Sequence, residues 1–346
     1  MKNINRENMK VLLAIFSKNE EILHIEDALK ELNCEIKIFY TDSYECQCTY
    51  IMKKVNEIGL HNGRDDYYRK FYKRFTSTIR ELAPDLILFV NIPAEAINIY
   101  QFRLLVDEYN IACWSVDSLK KQPNVIPYLK SLKYIYVFEE DDVAYLRDLG
   151  IEATYLPVGY SSVFQRKMMQ KDIDILFIGS PFRHRLKLLE KIAKEGLDNN
   201  WIVRIIGPFF STKYPWKEYF FKWKYPCIYY YLENKRISPK EAAEFYARTK
   251  ICLNIHTVDS KSPNPRTFEI LATESFELID KRSYWGGLRP GKDLESYKGI
   301  DDLIKKIKLY LGDSARRKKI ALTGYQHVHD KMSMKRILQR IIKNIQ

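Results

Sequence analysis

The chain has 346 residues, 46% of them hydrophobic and 29% charged, with 57 lysines and arginines against 44 acidic residues and a formal net charge of +13. At roughly 100–200 residues per domain this length points to two domains, and the apolar content excludes an intrinsically disordered chain. No run of about 18 uninterrupted apolar residues occurs, which excludes a spanning helix, and the basic residues are dispersed rather than gathered into an arm that would bind nucleic acid specifically.

The opening MKNINRENMKVLLAIF has an apolar run too short for a membrane span and no small-residue cleavage site, so Met9–Phe16 reads as a first strand. Ser17 with Glu20 three residues later is a capping-box signature. Ile22, Ile25, Leu29 and Leu32 recur at helical spacing until Asn33, and Cys34–Tyr40 alternates as a second strand. The polar, aromatic stretch from Tyr50 to Leu82 is predicted helical. Strands follow at Asp85–Val90, Ile111–Val116 and Tyr134–Phe138, with helices at Ala94–Tyr109 and Asp141–Leu149 and a strand from Ala153 into a turn at Gly159. Cys34, Cys46, Cys48, Cys113, Cys227 and Cys252 are scattered, and Cys46 and Cys48 lack the second close pair that a zinc site needs, which suits free thiols in a reducing cytoplasm.

Residues 161–171 are polar and unpatterned and read as a linker between a first domain, 1–160, and a second, 172–330, with 331–346 as a closing helix. In the second half, strands are predicted at Ile173–Ile178, Trp201–Ile206, Ile251–Ile255 and Phe276–Ile279. Helices are predicted at Arg185–Ala193, from Ser238, at Arg266–Thr273, Ile300–Leu311 and Ser314–Lys331, and from Lys335. Ser238, Pro239 and Glu241 supply cap, first-turn proline and capping-box acid. The strand–helix alternation is written twice, which predicts an α/β chain of two tandem Rossmann-like domains facing across a cleft.

Ligands of such folds sit at the carboxyl ends of strands, where helix N-termini attract phosphate. That rule selects Gly179-Ser180, Gly207-Pro208, His256 and the loop from Ser262 to Arg266. In KSPNPRTFE, Pro265 suits a first helical turn and Arg266 offers a forked cation to a diphosphate; Glu269, one turn on, suits ribose hydroxyls. An ordinary capped helix with a solvated arginine and glutamate would carry the same pattern. Asp117, just past a strand, is a candidate catalytic base or a simple cap, and His256 is a second catalytic candidate. The Asp172-Ile-Asp174 pair comes at a strand's start, the wrong end for a metal-bound ligand. Lys213–Asn234 mixes aromatic and basic residues densely, as a surface for an anionic bilayer or polymeric acceptor would, or as a hairpin or helix packed on its own domain.

The string NPRTFEILATESFELID and the region LESYKGIDDLIKKIKLYLGDSARRKKIALTGYQHVHDKMSMKRI resemble the C-terminal domain of the CgeB-like (spore-maturation-protein type) bacterial glycosyltransferases. EFYARTKICLNIH, DILFIGS and YLPVGYSSVF fit the same pattern, over Ile173–Ile341, while IACWSVDS carries a looser similarity in the first half. The resemblance implies a GT-B fold, a nucleotide-sugar donor with UDP as one candidate carrier, no cofactor and no essential metal. It further implies Glu269 at the donor ribose, Arg266 and Asn264 at the diphosphate with Gly179, Ser180 and Arg185 flanking it, and Gly207 and Pro208 near the base. The acceptor would be a protein, a glycan or a small molecule, in the cytoplasm or at the inner face of an anionic membrane. Lys261 stands where related retaining enzymes carry a second glutamate, and Glu274-Ser275 where many have small residues. A non-catalytic GT-B-like binding protein for a nucleotide or an anionic polymer is the alternative.

Overall fold

The computed structural model describes residues 9–16, 20–41, 62–258, 260–329 and 331–345. Ser17, Cys46 and Cys48 lie outside them. The chain divides into two compact units, one running to Val158 and taking in Met334 onward, the other spanning Gly159–Ser333.

The first unit contains β1 (Lys10–Ile15), α1 (Glu20–Lys30), β2 (Glu35–Tyr40), α2 (Asn62–Leu82), β3 (Leu86–Val90), α3 (Ile99–Glu108), β4 (Ile111–Ser115), a single turn α4 (Ile126–Leu129), β5 (Tyr134–Val137), α5 (Glu140–Asp148) and β6 (Thr154–Tyr155). Its strands form a parallel sheet in the order β2-β1-β3-β4-β5-β6. Every residue of β3 and β4 is buried, as expected where helices cover both faces of a parallel sheet. A file of rings, Phe71, Phe75, Phe89, Phe102 and Tyr128, fills one face.

The helix expected from Ala94 begins only at Ile99. Asn98 caps it by accepting the Tyr100 N–H at 2.8 Å, and the preceding residues form turns. The terminal helix, numbered α13 below (Met334–Ile345), buries Ile337, Leu338 and Ile341 and packs on α1, with Lys335 3.6 Å from Glu31. Asn344 donates to the Tyr136 hydroxyl at 3.1 Å.

The second unit contains β7 (Ile173–Ile178), α6 (Arg183–Asp198), β8 (Val203–Ile206), α7 (Pro215–Lys224), α8 (Pro226–Tyr231), β9 (Leu232–Glu233), α9 (Pro239–Arg248), β10 (Thr249–Asn254), α10 (Pro265–Ala272), β11 (Glu277–Asp280), β12 (Glu295–Tyr297), α11 (Gly299–Gly312) and α12 (Ser314–His329). The sheet is again parallel, in the order β12-β11-β10-β7-β8-β9. β12 escaped the sequence reading because three residues are too few to show a period. The Ser238 cap of α9 is a full capping box, with the Ser238 N–H donating to Glu241 at 2.9 Å.

Residues 161–171, expected as a linker, pack within this unit. Phe164 is buried against the Tyr246 ring, 6.2 Å between centroids, and Arg166 pairs with Glu274 and Lys167 with Glu244. Their irregular backbone leaves no periodicity in the sequence to reveal that packing.

Candidate active site

Strand order locates the site in the second unit. From β7 the chain winds outward through β8 and β9, and from β10 it winds the other way through β11 and β12. The order therefore reverses between β7 and β10, and open α/β sheets bind ligands at such a switch point. The residues singled out in the sequence cluster at this edge: Gly179 and Ser180 follow β7, Gly207 and Pro208 follow β8, His256 follows β10, and Asn264, Arg266 and Glu269 open α10.

Gly179 donates its N–H to Ile206 O at 2.9 Å and Gly207 its own to Glu233 O at 3.1 Å, extending the sheet pairing past the strand ends. Pro208 and Ser180 are exposed.

Arg185, in the first turn of α6, is 5% exposed. Its Nη1 donates to Ser180 O at 3.2 Å and its guanidinium lies over the Phe182 ring, 4.8 Å from the centroid. Burial, and next the positive charge of Arg266, push Arg185 down to about 10. Arg266 stands in the first turn of α10 and bonds with the buried Tyr246 hydroxyl. The Nε atoms of Arg185 and Arg266 are both buried without a hydrogen-bond partner. Two guanidinium groups thus stand in the first turns of two helices, near enough for the charge of one to act on the other, and an anion held by both would offset that repulsion. Glu269 is half-buried one turn beyond Arg266, close enough for its charge to act on Tyr246.

The helix tip itself is largely self-capped. Pro265 has no N–H, and Asn264 accepts the Thr267 N–H at 3.3 Å. Backbone groups therefore contribute less here than expected, and the arginines carry the positive charge.

His256 serves this loop. Its side chain is fully buried, Nε2 accepts the Asn264 N–H at 2.9 Å, and Nδ1–H donates to Asp280 at 3.0 Å. Because a backbone N–H can only donate, this arrangement assigns the neutral Nδ1–H tautomer. Burial lowers the His256 pKa despite the Asp280 hydrogen bond. Burial opposes the Asp280 charge too, yet His256 and the paired Arg282 hold that carboxyl below its usual range. His184 donates to His256 O at 2.7 Å. Both ring nitrogens are engaged inside the protein, so His256 holds the Asn264 loop through Nε2 and Asp280 through Nδ1.

Beneath the loop, Asn254 Nδ2 donates to Asn264 Oδ1 at 2.9 Å and to Glu277 Oε1 at 2.8 Å, and the Thr267 hydroxyl donates to the same Glu277 oxygen at 2.9 Å. Burial raises the Glu277 carboxyl to about 7, against these hydrogen bonds, and Oε2 has no partner. Sequence reasoning missed Asn254, Glu277, Asp280 and Tyr246. The available signal was a polar residue inside an otherwise apolar strand, as in ICLNI and FELID.

Asp117 belongs to the first unit, exposed at the carboxyl edge of β4. Asn91, in a left-handed conformation at φ 62°, donates to Asp117 at 3.0 Å and accepts the Val116 N–H at 2.9 Å. Among the described residues no group of three or more His, Cys, Asp or Glu side chains is placed to hold a metal ion, and no helix is long and apolar enough to cross a membrane.

Residues 183–343 match the model of the glycosyl transferase-like family. Spore protein CgeB of Bacillus subtilis (strain 168) is 26% identical over 214 residues, which cover 57% of this chain and 63% of that protein. The match thus spans less than two thirds of the curated relative's length. Among solved structures, the sucrose-phosphate synthase of Thermosynechococcus elongatus superposes with a TM-score of 0.69 at 13% identity, covering 97% of this chain and 98% of that one. A glycosyltransferase from Rickettsia africae ESF-5 gives 0.69 at 12%, covering 98% of each chain. Anabaena Alr3699/HepE in complex with UDP-glucose gives 0.64 at 11%, covering 97% and 99%. At such identities the likeness is one of fold: two Rossmann-like domains of the GT-B type.

Proposed function

Because residues 183–343 match the model of the glycosyl transferase-like family, we propose that this chain transfers a sugar from a nucleoside-diphosphate sugar to a protein, glycan or small-molecule acceptor. The observation that carries this reading is the pair of arginines at the switch point, Arg185 and Arg266, each with a buried, unpartnered Nε. A diphosphate is an anion of the right chemistry to bridge them. As the glycosidic bond breaks, negative charge grows on the departing diphosphate, and preorganised cations there lower the barrier. Two such cations supply the charge stabilisation that a divalent metal would otherwise give, so we propose a reaction with no essential metal.

In this scheme Glu269 accepts hydrogen bonds from the ribose, Asn264 holds the loop against the diphosphate, and Gly179 and Ser180 let the backbone approach it. Gly207 and Pro208 lie on the side of the base. A uridine carrier is supported by the UDP-glucose held by a protein of the same fold. Asp117, kept in place by Asn91, is the base proposed for an acceptor hydroxyl.

Calorimetric titration with UDP, GDP and CDP, with and without EDTA, tests the site. One diphosphate is expected to bind whether or not EDTA is present, and Arg266→Ala and Glu269→Ala are each expected to weaken it about tenfold or more. Binding of none of the three, or stabilisation by a random duplex alone, would overturn the proposal. A second reading, a protein that binds the nucleotide without turnover, is favoured by Lys261, which occupies the place of a glutamate in related retaining enzymes. Release of free sugar from the matching donor separates the two.

A further inference from the structure

Helix α7 presents its apolar face outward. Phe221 is its buried residue, at 7% exposure, whereas Trp216, Tyr219, Phe220 and Trp223 are 64%, 77%, 52% and 72% exposed. The spacing of these four, i, i+3, i+4 and i+7, sets the rings in a single stripe along the helix. Tyr230 of α8 adds a ring at 71% exposure.

Lysines border the stripe. Lys217 lies 4.7 Å from the Tyr214 ring centroid and 5.6 Å from that of Trp216, and Lys224 lies 5.6 Å from Phe220. Lys222 sits 5.1 Å from Tyr229 and Lys213 5.6 Å from Tyr214. The segment 213–231 carries four lysines and one glutamate, Glu218, whose carboxylate accepts from the Tyr229 hydroxyl at 2.7 Å.

We propose that α7, with Tyr230 beside it, is a docking surface for an anionic lipid bilayer. A helix lies in a membrane interface when aromatic and aliphatic residues form one face and lysines flank it, because the rings enter the boundary between headgroups and chains while the ammonium groups reach outward to phosphate. Tryptophan and tyrosine suit that depth, having an apolar body and a polar edge. The net charge of +13 adds a general attraction to an anionic surface. A second copy of the chain would place this lysine-bordered stripe against an identical one, which like charges oppose. A neutral glycan would stack on the rings but leave the lysines without a role. A recess of about 520 Å³ between the stripe and the loop after β8 is lined by Pro208, Phe209, Phe210, Trp216, Lys217 and Phe220. Pro208 therefore joins the docking surface to the candidate donor site of the same unit. The surface does not depend on that site being catalytic.

Co-sedimentation of the full chain with vesicles tests this, using phosphatidylcholine alone and phosphatidylcholine mixed with an equal part of phosphatidylglycerol. The chain is expected to sediment with the anionic vesicles only, less so at high salt, with its tryptophan emission shifted to the blue. Trp216→Ala/Trp223→Ala and Lys217→Gln/Lys222→Gln/Lys224→Gln are each expected to reduce the bound fraction about tenfold or more, with unchanged circular dichroism melts. Equal sedimentation with both vesicle types, none with either, or variants that bind like the parent would overturn it. Self-association abolished by the tryptophan variant, without vesicle binding, would assign the stripe to a second copy.

Discussion

The backbone of Gly207 rests on the carbonyl of Gly179 so closely that a β-carbon at 207 would stand 2.1 Å from that oxygen. Neither the oxygen nor the neighbouring strand end can step aside, since Gly179 is itself bonded to Ile206. Gly207→Ala is expected to destabilise the fold by about 1–3 kcal/mol, the range for overpacking, and to weaken nucleotide binding at the same strand ends. At Gly179 the added carbon would meet the Phe177 ring at 3.1 Å and an Arg185 nitrogen at 3.4 Å, much milder contacts than the 2.1 Å approach to backbone at 207. Gly179→Ala should therefore cost less. Denaturant unfolding of the two variants checks the order, and equal losses would contradict it.

Arg185 is held in place before any ligand arrives, at an energetic cost that its lowered pKa reports. Removing its charge should relieve the repulsion with Arg266. Arg185→Gln is expected to leave the ligand-free protein at least as stable, while diphosphate binding weakens by about 1.5–3 kcal/mol, as for a lost hydrogen bond to a charged group. Thermal melts with and without UDP separate the effects. A variant that binds UDP unchanged would remove Arg185 from the site.

His256 and Glu277 give stability opposite dependences on pH. The folded chain keeps His256 neutral below the ordinary 6.5. The unfolded chain therefore binds the extra proton first as pH drops, and stability falls from 6.5 down to the lowered native value. Glu277 behaves the other way: its native value near 7 exceeds the ordinary 4.5, so the folded chain holds the extra proton. Its contribution is complete below 4.5 and is lost as pH rises through about 7. Glu277→Gln, which keeps an oxygen for Asn254 and Thr267, should flatten that decline, by about 1.4 kcal/mol per pH unit within the window. His256→Ala should remove the opposite slope and cost about 1–3 kcal/mol at neutral pH, because the Asn264 N–H loses its acceptor. Urea unfolding across pH 4 to 8, in steps of about one unit, measures each slope; parallel curves for parent and variants would contradict the assignment.

Two helix caps distinguish local stability from site geometry. Ser238→Ala removes a capping box on α9 and is expected to cost about 1 kcal/mol without touching nucleotide binding. Asn264→Ala removes a cap of similar value from α10 but also frees Asn254 and the loop that His256 orients. It is expected to lower stability by about 0.5–2 kcal/mol and, unlike Ser238→Ala, to weaken diphosphate binding. The contrast in titration calorimetry is the check; equal affinities would sink the positioning role of Asn264.

The strands and most helices were legible because burial writes a period into the sequence. Fully apolar runs such as LILFV and IACWS belong to parallel strands covered on both faces, and Ser238-Pro-Lys-Glu241 announces its helix by local chemistry alone. Those signals act between near neighbours, so they determined the two rounds of strand and helix and the loop that opens α10. Tertiary structure alone decided that Met334–Ile345 belongs with the first unit and that 161–171 packs within the second. It also brought Asn254, Asn264, Thr267 and Glu277 into one hydrogen-bonded network and set His256 beneath the Asn264 loop. Each of these outcomes is a contact between residues distant along the chain. Hydrogen bonding and charge compensation in a buried, low-dielectric place depend on which groups folding brings together, and no local pattern of residues encodes that meeting.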